Sequence, residues 1–128
     1  MKNENDDNSV DFGEILIAGP IVLDSRNNLV YTFLGGFIKL SSNDFKTLWH
    51  LAGREGIKQS FKKIYKVVWN NGDGIDRRDE ARKAITDIIE RLDTGGRGFV
   101  WIDHTPASKY TFRTKWSHNQ ENWEKLIS

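Results

Sequence analysis

The stretch FIKLSSNDFKTLWHLA, residues 37–52, decides the fold. Its first four residues are β-rich. Ser41-Ser42-Asn43-Asp44 then forms an S-x-x-D capping pattern that opens a helix. Phe45, Leu48, Trp49 and Ala52 follow at i, i+3, i+4 and i+7, the apolar face of a helix ended by Gly53 and Gly56. A strand therefore runs directly into a one-sided helix, whose apolar stripe needs partners from elsewhere in the chain.

Upstream, Glu14–Ala18, Ile21–Asp24, Leu29–Phe33 and Phe37–Leu40 read as short strands. Gly19-Pro20, Arg26-Asn27-Asn28 and Gly35-Gly36 separate them with turn chemistry, which predicts antiparallel hairpins. Downstream, Ser60 caps a second helix with Phe61, Ile64, Tyr65, Val68 and Trp69 on its apolar side. Residues 70–74 are a loop. A third helix is expected from Arg78 to Leu92, with Ala81, Ala84, Ile85, Ile88, Ile89 and Leu92 inward and the glycines at 95, 96 and 98 stopping it. Phe99–Asp103 and Lys109–Thr114 form a terminal hairpin around His104–Ser108.

The chain has 128 residues, 38% of them apolar and 29% charged, the profile of one ordinary globular domain. We divide it into a disordered acidic tail at 1–11, a domain at 12–115, and a C-terminal tail or short helix at 116–128. The domain is α+β: an N-terminal antiparallel sheet, a three-helix core and a C-terminal β-hairpin. There is no cysteine, so disulfides, thiol nucleophiles and cysteine-ligated metals are excluded. No stretch is long and apolar enough to span a bilayer, and no secretion pattern opens the chain, so a soluble cytoplasmic protein is expected. Net charge is only +1, but it is unevenly placed. Residues 1–14 carry net −4 and residues 54–83 net +4, and the second run could face phosphates.

Four motifs in this order resemble the winged-helix DNA-binding domain of OmpR/PhoB-type response regulators. The first is Ile38-Lys39-Leu40-Ser41 through Leu51, against the family's L-x-L-[ST]-x-x-E-[FY]-x-L-L-x-x-L. In the second helix Ser60 is followed by Ile64, Val68 and Trp69 at +4, +8 and +9, as in S-R-x-x-L-x-x-x-V-W. In the third, Ala81, Ile85, Ile88 and Leu92 take the family's apolar positions. Lys109-Tyr110-Thr111-Phe112 stands for G-Y-x-F. The likeness covers residues 20–113. It departs in two places: His104–Ser108 replaces the family's R-G-x-G, and residues 76–93 hold five basic and six acidic side chains where the family's helix is basic. No receiver domain is expected ahead of the fold.

The resemblance implies a helix-turn-helix whose third helix enters the major groove of double-stranded DNA. Arg82, Lys83 and Thr86 would then reach base edges. Lys62, Lys63, Lys66, Arg77 and Arg78 would hold phosphates, with Lys58 on the approach, and Lys109 and Arg113 would serve the wing. It implies a transcriptional regulator with no cofactor and no metal. The alternative is a winged-helix protein-interaction module without sequence-specific DNA binding, favoured by the balanced charge of helix three. Trp116, Trp123 and Leu126 leave the tail two roles, docking on the domain or meeting another protein or a second copy.

Enzyme readings find no support in the residues. His50, His104 and His118 are scattered, and no nucleophile has an identifiable base. Asn71–Asp76 is faintly similar to a calcium loop but lacks its ligand alternation and its closing glutamate. The glycine run at 95–98 does not open a helix, so it is no phosphate cradle.

Overall fold

Turn residues free to take left-handed backbone set the first sheet. The computed structural model describes residues 14–33 and 35–115, so both expected tails lie outside the described residues. Strands β1 (Ile15–Ala18), β2 (Ile21–Asp24), β3 (Leu29–Thr32) and β4 (Phe37–Lys39) form an antiparallel meander in chain order. Gly19 at φ +59° and Asn28 at φ 55° make its first two reversals. Alternation puts Ala18, Ile21, Leu23 and Val30 on the buried face and Ile15, Ile17, Tyr31 and Phe37 on the outer one.

Helix α1 (Ser42–Ala52) begins as its capping pattern predicts, the Ser41 hydroxyl accepting the Asp44 N–H at 3.3 Å. Helix α2 (Phe61–Ile64) is capped the same way, Ser60 accepting from Lys63 at 3.1 Å. It continues as a π-helical turn over Tyr65–Trp69, closed by the Asn70 N–H on the Tyr65 carbonyl at 2.9 Å. The wider turn shifts the apolar register. Val68, expected in the core, is half-buried, while Trp69 is 7% exposed. The Trp69 indole N–H donates to Thr47 Oγ1 at 3.0 Å, and that hydroxyl donates to the Asn43 carbonyl at 2.7 Å. Both buried polar groups are thereby satisfied.

Helix α3 (Arg78–Gly96) runs a turn beyond the expected end at Leu92. Gly95 and Gly96 lie inside it, and Arg97, at φ 49°, ends it. Gly96 is needed for proximity: a Cβ there would come within 2.6 Å of Val100 Cγ1. The helix therefore continues through residues of poor propensity because the next strand packs against its last turn.

Strand β5 (Gln59–Ser60) is too short to leave any periodicity in the sequence. It completes a three-stranded sheet with β6 (Val100–His104) and β7 (Lys109–Thr114), in the order β5-β7-β6. The core fills the space between the helices and the two sheets, with Phe45, Leu48, Ile64, Ile85, Ile88 and Phe112 all at most 2% exposed. The architecture is the winged-helix fold: sheet, three helices, C-terminal hairpin. Among the described residues no helix is long and apolar enough to cross a membrane.

His50, on α1, is buried with its Nε2 2.9 Å from Gln59 Oε1 of β5. Burial pushes its pKa below the ordinary histidine value and outweighs the Gln59 bond, which acts the other way. The unfolded chain thus takes up a proton more readily than the folded one.

Two outcomes follow from this packing. Ile88→Ala should lower stability by about 2–5 kcal/mol in denaturant titration, through reduced burial and the cavity left behind. Acidification from about pH 7 to pH 5 should lower the melting temperature, because the neutral His50 side chain stabilises the fold only above the ordinary histidine pKa. His50→Gln should flatten that part of the profile. Parallel profiles for variant and parent would assign the pH dependence to other groups.

Candidate nucleic-acid interface

Three elements meet at Arg82. It lies one turn into α3, exposed, with its guanidinium carbon 3.9 Å from the centroid of the Phe61 ring at the start of α2. Its Nη1 also donates to Ser108 Oγ in the β6–β7 turn at 3.3 Å. One side chain thus bridges α2, α3 and the hairpin. Phe61, Lys62, Tyr65, Lys66, Arg78 and Arg82 line a groove of about 690 Å³ between α2 and the start of α3. The ammonium groups of Lys62 and Lys66 and the Arg82 guanidinium make its wall basic.

The loop before α3 neutralises the two arginines beside it. Arg77 forms a two-pronged pair with Asp73, at 2.6 and 3.0 Å, and its backbone N–H donates to the Tyr65 hydroxyl at 2.9 Å. Arg78 forms a similar pair with Asp76, at 2.8 and 3.0 Å. The Arg77 guanidinium and the Ile75 N–H hold the Asp73 carboxyl well below the usual carboxylate range. Asp76 is held down to about 2 by Arg78, through side chain and then backbone. The loop carboxylates that faintly suggested a calcium site are used internally, and no acidic cluster suited to a metal exists among the described residues.

The lysines differ. Lys58, Lys62, Lys63, Lys66 and Lys109 are all exposed, and none has a carboxylate within ion-pair distance among the described residues. Lys62, Lys63 and Lys66 ride on α2 and its π turn, and Lys109 opens β7. Lys83 stands apart from the groove at Arg82. It lines a second cleft with Ser41, Asp44, Glu80 and Asp87, between α3 and the start of α1. Thr86 is exposed, its hydroxyl donating back to the Arg82 carbonyl at 3.0 Å. Asp87 pairs with Arg91 at 3.0 Å, and Arg113 with Asp103 across the hairpin at 2.5 Å. Arg82, Lys62, Lys66 and Arg78 are therefore brought together, whereas Lys83 and Arg113 belong to other surroundings.

Sequence reasoning missed the residues that organise these cations: Phe61 and Ser108 under Arg82, Asp73 and Asp76 on the arginines, and Tyr65 on the Arg77 backbone. Only the Asp73–Arg77 pair, at i and i+4, had a readable signal. The rest depend on backbone geometry or join positions far apart in the chain.

No protein-family model matches the sequence, and no curated protein matches it. Solved structures do. The DNA-binding domain of CpxR from E. coli superposes with a TM-score of 0.60 at 17% identity, covering 80% of this chain and 98% of that one. The Klebsiella pneumoniae RstA DNA-binding domain, solved in complex with the RstA box, superposes at 0.59 with 25% identity, covering 78% and 97%. Both are OmpR/PhoB-type domains, and the present chain shares their fold.

Proposed function

We propose that this chain binds double-stranded DNA as a transcriptional regulator, in the cytoplasm and without catalysis. It would lay α3 in the major groove and set the β6–β7 hairpin against flanking DNA. The observation that carries the reading is the convergence at Arg82, where α2, the outer side of α3 and the hairpin turn meet beside exposed lysines. The likeness to RstA, solved on its own DNA box, supports the same reading.

In this reading Lys58, Lys62, Lys63 and Lys66 contact phosphates, and Lys109 and Arg113 serve the wing. Arg82 keeps N–H groups beyond its present contacts for the groove, and Lys83 and Thr86 reach base edges. Arg77 and Arg78 exchange their carboxylates for phosphates as DNA arrives. The Arg78–Asp76 pair is exposed on both sides, at 65% and 60%, and such pairs contribute little in water, so its exchange is energetically the easier of the two.

A second reading, a winged-helix module that binds protein, is favoured by the ion pairs Arg77–Asp73, Arg78–Asp76 and Arg91–Asp87 in and just before α3, which reduce its net attraction for an anionic backbone.

Duplex affinity measured against salt separates the two. Lys62→Ala should weaken binding to all sequences alike and reduce the log–log salt slope by about 0.9, the share of a single neutralised phosphate. Lys83→Ala or Thr86→Ala should instead change sequence preference. Folded protein that binds no duplex at low salt leaves the protein-interaction reading standing.

The carboxylates give the opposite sign. Asp73→Asn or Asp76→Asn should remove the cost of the exchange and raise DNA affinity, with the salt slope nearly unchanged because the same phosphates are met. Unchanged affinity in both variants would show that Arg77 and Arg78 stay off the backbone.

A further inference from the structure

Among the described residues, nothing packs on the apolar outer face of the first sheet. Ile17, Val22, Tyr31 and Phe37 stand in register across β1 to β4, one from each strand. Ile17 is 59% exposed, Tyr31 42% and Phe37 63%, and Ile15 follows at 46% in the next row. A continuous apolar row of this kind marks a contact surface.

The chain leaves the described structure beside that row. Thr114 ends β7 packed on Gly19: a Cβ on Gly19 would come within 2.6 Å of Thr114 Cγ2. Gly19 lies two residues past Ile17, in the turn at the row's own end of the sheet. The 13 residues that follow, 116–128, carry Trp116, Trp123, Leu126 and Ile127 at i, i+7, i+10 and i+11, one face of a helix. As a helix they would reach about 20 Å. Four strands span about 14 Å between outer backbones.

We propose that residues 116–128 pack across the outer face of the β1–β4 sheet of the same chain, their tryptophan stripe on Ile17, Tyr31 and Phe37. Chemistry and reach agree. The segment starts at the right end of the sheet, is long enough to cross it, and carries the large apolar side chains the face lacks. Glu124 flanks the stripe, opposite in sign to Lys39 on the outer face of the sheet. Because the segment is tethered beside the face, its effective concentration there exceeds that of the same segment from a second copy.

The test uses the full chain. Trp123→Ser and Ile17→Ser should each lower the melting temperature, by roughly 4–8 °C. Together they should lower it no further than the larger single effect, since both remove the same contact. Solution mass should remain that of a monomer at every concentration. Because the chain has no cysteine, Phe37→Cys combined with Leu126→Cys should cross-link within one molecule with a short bifunctional thiol reagent. Additive shifts, an unchanged melting temperature in Trp123→Ser, or no intramolecular cross-link would each overturn the proposal. A concentration-dependent dimer abolished by Ile17→Ser would assign the face to a second copy instead.

Discussion

Strand β7 is paired on both edges, and the rest of the molecule is registered against it. On one side it meets β5, immediately before α2; on the other it meets β6, immediately after α3. Backbone groups that cannot be left unpaired therefore fix the start of one helix relative to the end of another. Two further bonds tighten the arrangement: the Gly56 N–H donates to the Phe112 carbonyl at 2.9 Å, and the Phe61 N–H to the Ser108 carbonyl at 2.8 Å. Phe112, fully buried, anchors the same strand in the core. Once β7 is in place, Phe61 and Ser108 are neighbours, and Arg82 has both within reach.

The acidic side chains around α3 serve the fold and the candidate surface in opposite ways. Asp79 and Glu80 sit in the first turn, where the helix dipole favours negative charge. Asp73 and Asp76 accept backbone N–H groups of Ile75 and Arg78 as well as the guanidiniums, so they hold the loop and the helix entry together. Each also subtracts from the positive potential an approaching anion would meet. The lysines of α2 lie outside these pairs, which leaves the second helix, more than the third, as the basic part of the surface. Local order at the start of α3 and long-range attraction for anions are thus set by the same few carboxylates.

Much of the architecture was legible because it rests on local rules. The caps at Ser41 and Ser60 and the inward stripe of α3 each follow from chemistry within a few residues. Glycine misled at 95 and 96, where helix continues despite poor propensity and Gly96 is retained for its lack of a side chain against Val100. Val68 misled because a π turn adds a residue to the repeat, and no spacing rule anticipates that. The candidate cations could be picked out by type and position. Their surroundings could not, since Phe61 and Ser108 are 21 and 26 residues from Arg82.

The sequence by itself determined the four strands of the first sheet, the terminal hairpin and the places of the three helices, and that their apolar faces require one another. Those are properties of short windows, governed by backbone preference and periodic burial. Tertiary structure alone decided which charges stand open to a partner. Lys62 and Arg77 look equivalent in the sequence, yet among the described residues one has no carboxylate within ion-pair distance and the other is held by Asp73. Electrostatic interaction falls with distance and depends on what water can reach, and both are set only when the chain has closed on itself.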